Sequence, residues 1–329
     1  MAAANFSYRK VAFCVTAALI SCVLNVFFLE KLISAEKNSS NLITASGFLL
    51  IAIDGLIFTS KFFTVKPVVP LRHNALLVFI FFLSNLGNNL AFKYHIPMTL
   101  HMIFKSGSLM SSLLLGALLL KRKYTITKYV SVVTITIGII LCTYASSEQA
   151  PSETAAVTNI KYKEFIIGLS LLLFTLFASS YMGVLQERLA ARFGKHPRES
   201  LFYNHALPLP FFLFLHKDLA EQISIFNSSE PMEVPLIGVM VPYLWLLLAC
   251  NAFFQYLCIN FVFQLTTECT SLTVTLVITI RKFLSLLISV FYFGNRFTVL
   301  HWIGAGCVFG GSAMFTELHN LLLSRKKKD

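Results

Sequence analysis

Five stretches of the chain, Val11 to Leu29, His73 to Phe92, Tyr129 to Ser147, Phe165 to Gln186 and Val234 to Thr267, contain no Asp, Glu, Lys or Arg. Each reaches the roughly 17 to 25 residues that cross a bilayer as a helix. In lipid the backbone must satisfy its own polar groups, which leaves the helix as the element such runs can form. Further apolar runs at Ile43 to Ser60, Met98 to Leu120, Leu201 to His216, Ser271 to Phe293 and Val299 to Leu322 are shorter or carry one or two charges. The expected fold class is an all-α membrane protein with ten transmembrane helices. The first run is long, is followed at once by others and lacks a small-residue cleavage site, so it reads as the first helix rather than a signal peptide.

Composition agrees: 56% of the residues are hydrophobic and 13% charged, against roughly 25% charged in a soluble domain. The seven cysteines fall in or beside apolar runs, with no CxxC pair, which supports neither a disulfide framework nor a zinc site. A net charge of +12 could serve nucleic acid, but the basic residues sit in short clusters between helices, where they set topology instead.

With the N-terminus in the cytosol, Arg9, Lys10, Lys61, Lys66, Arg72, Lys121 to Lys123, Lys128, Arg188, Arg192, Lys195, Arg198 and the tail from Arg325 to Lys328 all fall on the cytosolic side. Lys31, Lys37, Lys93, Lys161, Lys163, Lys217 and Arg296 fall on the other. The positive-inside rule therefore predicts that both termini are cytosolic.

Residues Lys123 to Tyr129 resemble Arg296 to Trp302 at an offset of 173, which also pairs Gly138 with Gly311. Five spans separate the copies, so the halves enter the membrane in opposite senses, the inverted-repeat plan of secondary transporters. The expected organisation is one transporter domain over residues 1–329. Its first five-helix half is 1–150, its second is 160–322, and a cytosolic basic tail occupies 323–329.

Three basic residues lie inside apolar spans: Lys105 in the fourth, and Arg281 with Lys282 in the ninth. Each costs roughly 2.5 to 3.5 kcal/mol on insertion scales, a cost met by a partner or an aqueous cavity. Carboxylates available as partners are few: Asp54, Glu268 and Glu317. Unbalanced cations at mid-membrane call for a mobile anion, and ammonium and guanidinium donors suit phosphate oxygens. Adjacent helical residues point about 100° apart, so Arg281 and Lys282 are expected to divide their roles. Structural ion pairs with Asp54 or Glu268 are the bland alternative.

Around Lys105, Asn88, Asn89, His101, Ser106 and Ser108 supply polar groups; the same residues also serve helix packing. In the seventh span, Phe202-Tyr203-Asn204-His205 precedes Pro208 and Pro210, which break regular helical bonding as in cavity-lining helices of transporters. Tyr203 could stack on a base and Asn204 bond its edge or a sugar hydroxyl; an interfacial aromatic belt is the alternative. No Ser-His-Asp or paired-carboxylate constellation can be assembled inside the membrane, so a carrier is expected rather than an enzyme.

Three segments, Met98 to Ser108, Phe202 to Pro210 and Thr267 to Phe283, carry a family likeness. The chain resembles the nucleotide-sugar transporters of solute carrier family 35, subfamily B, within the drug and metabolite transporter superfamily. The likeness extends over all ten spans and is nearest to the branch carrying UDP-N-acetylglucosamine and UDP-xylose, some members of which take GDP-fucose. The resemblance implies exchange of a nucleotide sugar for the matching nucleoside monophosphate, with no cofactor and no metal. It implies substrate contact by Tyr203 and Asn204, which match the family's Phe-Tyr-Asn motif, and by Lys105 and Lys282. Together with the residue reading, the candidate substrate-binding residues are Lys105, Tyr203, Asn204, Arg281, Lys282, Ser108, Asn89 and His205. His205 stands where guanine-nucleotide carriers have a second Asn, and Thr279-Ile280-Arg281-Lys282 replaces their Gly-Ala-Leu-Asn-Lys, which favours uridine.

Lys326 and Lys327 stand four and three residues from the C-terminus, counting Asp329 as one, like the dilysine signal read by coat proteins that retrieve membrane proteins to the endoplasmic reticulum. The expected location is the endoplasmic reticulum or Golgi membrane. The expected partners are the bilayer, the nucleotide sugar, the nucleoside monophosphate and those coat proteins, with no nucleic acid; the sequence leaves a homodimer open. Two other functions remain: a carrier of other phosphorylated metabolites such as phosphoenolpyruvate or triose phosphates, and an intramembrane transferase.

Overall fold

In the computed structural model the apolar runs form helices. Residues 2–94, 96–147, 155–194, 196–233, 238–268 and 271–316 are described; Glu317, Lys326 and Lys327 lie outside them. The helices are α1 (Ala2–Ala35), α2 (Ser40–Asp54), α3 (Leu71–Lys93), α4 (Met98–Ser106), α5 (Ser108–Leu120) and α6 (Ile126–Ser147). They continue with α7 (Ala155–Phe193), α8 (Pro197–Ala206), α9 (His216–Asn227), α10 (Tyr243–Glu268), α11 (Ser271–Phe291) and α12 (Val299–Phe315). A two-stranded antiparallel hairpin, β1 (Pro231–Glu233) with β2 (Met240–Pro242), lies between α9 and α10.

Among the described residues seven helical segments are long and apolar enough to cross a membrane: Val11–Ala35, Lys37–Thr59, Leu71–Lys93, Met98–Leu120, Ile126–Ser147, Tyr162–Phe193 and Tyr243–Leu265. The α12 helix is apolar but shorter. Two stretches are interrupted, the first where the sequence predicts it and the second at a glycine that read only as a place of close backbone approach. Beyond α8, Pro208 and Pro210 withhold backbone donors, and a 3-10 stretch at Leu209–Leu215 precedes α9. At Gly107 the chain turns out of α4 and into α5. The α2 helix ends in a π-helical turn at Gly55–Thr59, and after Ser60 the residues Lys61, Phe62 and Phe63 have left-handed φ of 46°, 56° and 63°.

Long-range packing runs α1 against α10, α3 against α7, α6 against α12, α2 against α8 and α4 against α11. The α6 and α12 backbones approach so closely that a Cβ on Gly138 would lie 2.5 Å from the Gly304 carbonyl oxygen and 2.8 Å from Val308, and one on Gly311 would lie 3.0 Å from the Ser131 carbonyl oxygen and 2.8 Å from Ile135. The Cys142 thiol points at the His301 carbonyl at 3.6 Å, and Lys128 Nζ sits 5.6 Å over the Phe315 ring.

Polar contacts gather at the two ends of the bundle. At the end rich in Lys and Arg, Glu199 of α8 accepts the backbone N–H groups of Val68 and Val69 at 3.1 and 2.9 Å, and Arg122 pairs with Glu187. At the opposite end, the Glu30 carboxylate accepts from Ser289 Oγ at 2.6 Å and Asn295 Nδ2 at 2.7 Å, and Ser146 Oγ lies 3.0 Å from His301 Nε2.

One expectation is corrected. Cys22 of α1 and Cys258 of α10 form a disulfide, where spacing along the sequence supported no disulfide. The two residues are 236 positions apart, and only the packing of α1 on α10 brings them together.

Candidate substrate-binding site

The break at Gly107 decides the chemistry of the bundle interior. The C-terminal end of α4, with Lys105 in its last turn, meets the N-terminal end of α5, which begins at Ser108. A helix N-terminus presents free N–H groups and the positive end of its dipole, a setting for anions. Lys105 itself is solvent-exposed although the residues on either side, Phe104 and Ser106, are buried. It opens into a cavity of about 380 Å³ lined by Lys105, Ser108, Ser112, Lys282, Asn88 of α3, and Thr175, Ser179 and Ser180 of α7, with Phe104, Leu172 and Leu176 as apolar walls. No described carboxylate lines it.

Lys282 Nζ donates to the Lys105 carbonyl oxygen at 3.0 Å, the negative end of the α4 dipole. A smaller pocket of about 120 Å³ adjoins it and shares Ser108 and Lys282. Across the cavity wall Ser112 Oγ donates to Ser180 Oγ at 3.2 Å, and Ser180 Oγ to the Ser108 carbonyl at 3.3 Å. Arg281 turns elsewhere: Nη1 donates to Cys258 Sγ at 3.4 Å, as the angle between adjacent helical residues requires. Lys105, Arg281 and Lys282 remain within electrostatic reach of one another, and none forms an ion pair with a described carboxylate. Asp54 is engaged instead by the Tyr256 hydroxyl, which donates at 2.9 Å.

The structure thus brings Lys105, Ser108 and Lys282 together and places the other candidates apart. Tyr203 is buried and its ring lies 4.8 Å from Phe202. Asn204 Nδ2 donates to Ser200 Oγ at 3.3 Å, while its buried Oδ1 has no partner among the described residues. His205 is wedged between Phe48 and Phe81, at 4.8 and 5.1 Å, and Nδ1 donates to the Leu201 carbonyl at 2.7 Å. Asn89 faces the end opposite the basic clusters, where Nδ2 donates to Asn41 Oδ1 at 3.0 Å and Thr44 Oγ1 at 2.8 Å. His101 is buried, with Nε2 3.2 Å from Asn88 Oδ1, the packed role its sequence setting suggested.

Sequence reasoning missed Ser112, Thr175, Ser179 and Ser180. The signal was present on α7, where Leu172, Thr175, Leu176, Ser179, Ser180 and Gly183 recur at helical spacing on one cavity-facing stripe. It is indistinguishable from ordinary small-residue helix packing without the neighbouring helix.

The UAA transporter family's sequence pattern matches residues 10–319. The chain is 45% identical over 310 residues to the human protein named nucleotide sugar transporter SLC35B4, covering 93% of this chain and 94% of that one. It is 47% identical over 311 residues to the endoplasmic reticulum GDP-fucose transporter of Drosophila melanogaster, covering 92% and 88%. To the UDP-xylose and UDP-N-acetylglucosamine transporter of Danio rerio it is 44% identical over 309 residues, 93% of each chain. One solved crystal structure superimposes with a TM-score of 0.55 over 95% of this chain and 99% of the other, at 13% identity, a likeness of fold alone.

Proposed function

The chain belongs to the UAA transporter family, and from that premise we propose that it is a nucleotide-sugar antiporter. It carries UDP-N-acetylglucosamine or UDP-xylose, with GDP-fucose as a further substrate, from the cytosol into the lumen of the endoplasmic reticulum or Golgi and returns the nucleoside monophosphate. The names of the relatives above support the substrate class. The observation that carries the reading is the cavity in which Lys105 and Lys282 meet a helix N-terminus and a ring of hydroxyls with no described carboxylate. Phosphate oxygens are what such donors recognise. An empty return would leave two cations at mid-membrane without an anion, whereas a returning monophosphate keeps them neutralised; exchange follows.

The architecture is ten spans in two inverted halves, 1–150 and 160–322, with both termini cytosolic. In this scheme α4 with α5 is the fourth span, α7 the sixth, α8 with α9 the seventh, and α10, α11 and α12 the last three. Contacts across α6 and α12 support it. Shifting by the offset of 173 turns the Gly138–Gly304 contact into Ser131–Gly311, Gly138–Val308 into Ile135–Gly311, and Cys142–His301 into Lys128–Phe315, and each partner contact is present. A pseudo-two-fold axis through the α6–α12 seam has that property. The wider packing behaves alike, since α1 on α10 and α3 on α7 exchange under the same operation.

Tyr203 and Asn204 serve the nucleotide in another stage of the cycle, when α8 swings toward the cavity; the unpartnered Asn204 Oδ1 supports that role. Lys326 and Lys327 serve retrieval by coat proteins. Labelled UDP-N-acetylglucosamine uptake into liposomes, competed by UMP or by phosphoenolpyruvate, tests the reading: inhibition by UMP alone is expected. Inhibition by phosphoenolpyruvate alone would move the chain to the carriers of other phosphorylated metabolites.

A further inference from the structure

Each of the two mouths of the bundle carries one carboxylate, one cation and amide side chains, in two different states; the carboxylates exchange under the inversion of the halves, while the cations stand on α3 and α8. At the luminal mouth Lys93 Nζ of α3 pairs with Asp218 Oδ1 of α9 at 2.7 Å. Asn41 Nδ2 of α2 donates to Asp218 Oδ2 at 2.8 Å, and Asn89 bonds Asn41, so spans two, three and seven are zipped together. Inverting the halves carries this place to spans seven, eight and two at the cytosolic mouth. There Asp54 of α2 and Arg198 of α8 also supply one carboxylate and one cation, with Tyr256 and Asn260 of α10 beside them.

At this second mouth the set is open. A cavity of about 280 Å³ lies among Asp54, Arg198, Tyr256 and Asn260. Asp54 accepts from the Tyr256 hydroxyl, the Arg198 guanidinium lies 5.6 Å over the Phe263 ring, and no ion pair joins Arg198 to a described carboxylate. Each charge therefore leans on a neutral neighbour, a weaker partner than the opposite charge across the cavity.

A strained stretch of the chain runs on from the cavity wall. The π-helical turn at Gly55–Thr59 begins directly after Asp54, and Lys61, Phe62 and Phe63 follow in the left-handed region, where residues with a Cβ pay a steric cost. Beyond them Glu199 pins Val68 and Val69 to α8. A segment anchored at its far side and strained next to Asp54 has somewhere to move.

We propose that Asp54 and Arg198 are a cytosolic latch that closes when the luminal Lys93–Asp218 latch opens, so that the two pairs hold the two faces of the carrier shut in turn. This rests on the inverted-repeat transport reading given above. The structure is then the cytosol-open state. Asn89 belongs to the luminal latch and acts on transport without touching the substrate.

Two measurements on the full-length protein in liposomes test it. In the first, Asp54→Asn and Arg198→Gln each slow exchange of UDP-N-acetylglucosamine for UMP at least tenfold while UMP still raises thermal stability, and the swap of Asp54→Arg with Arg198→Asp recovers most of the rate. Singles that exchange like the wild type, a swap no better than the singles, or loss of UMP binding in the singles would each overturn the latch. The second needs no substrate and covers variants that fold poorly: Asp54→Cys with Arg198→Cys is oxidised with and without Lys93→Gln. Opening the luminal latch is expected to raise the 54–198 cross-link at least threefold; equal yields in the two backgrounds would overturn the proposal. Wild-type protein that neither exchanges nor binds UMP would instead count against the substrate reading, leaving the cross-link to judge the latch.

Discussion

Lys282 Nζ donates a 3.0 Å hydrogen bond to the backbone carbonyl of Lys105, which ties α11 to α4 beside the cavity. Two lysines that share one anion should be coupled in their effects. Lys105→Ala and Lys282→Ala are each expected to abolish the stabilisation that UMP confers in a thermal-unfolding assay, about 2.7 kcal/mol at a ligand concentration near 100 Kd. The double variant should lose little more than either single one, because interacting sites are non-additive. Full additivity would mean that the lysines act on separate things.

The α6–α12 seam leaves no room for side chains at Gly138 and Gly311. Gly138→Ala and Gly311→Ala are each expected to destabilise the protein by about 1 to 3 kcal/mol, the ordinary cost of overpacking, by comparable amounts if the seam is pseudo-symmetric. Unfolding in detergent without ligand checks this.

His205 is held between two phenylalanine rings and a backbone carbonyl. Its truncation to Ala is expected to cost about 1 to 3 kcal/mol of stability, two aromatic contacts at roughly 0.5 to 1.5 kcal/mol each, with a modest change in KM. A large KM effect at unchanged stability would place it on the substrate.

Cys22 and Cys258 are expected to resist alkylation in the unreduced, denatured protein and to yield one cross-linked peptide on digestion, whereas Cys14 and Cys142, free in the structure, become labelled. Labelling of Cys22 without reductant would contradict the bond.

What the sequence disclosed, it disclosed through cost. Lysines at Lys105 and Lys282 stand out because a charge inside an apolar run needs a reason, and the cavity between them supplies one. The break at Pro208 was legible because its backbone consequences are local; the turn at Gly107 was not, since the glycine read as a place of close backbone approach. Ser179, Ser180 and Ser112 stayed hidden because small polar residues are ordinary in packed membrane helices, and only the fold shows which stripe faces the cavity. Asn89 looked like a neighbour of Lys105 because it is near in sequence; its partners, Asn41 and Thr44 on α2, turn it toward the mouth of the bundle. The partition of Arg281 and Lys282 followed from helical geometry, but the acceptor of Arg281, a sulfur of a disulfide, could not.

The most direct test of the account is uptake of radiolabelled UDP-N-acetylglucosamine into liposomes bearing the purified protein, preloaded or not with UMP, in the intact chain and in Lys105→Ala and Lys282→Ala. Stimulation by internal UMP that disappears in both variants is the predicted result. Folded wild-type protein that takes up no UDP-sugar, or variants that keep the stimulation in full, would contradict it.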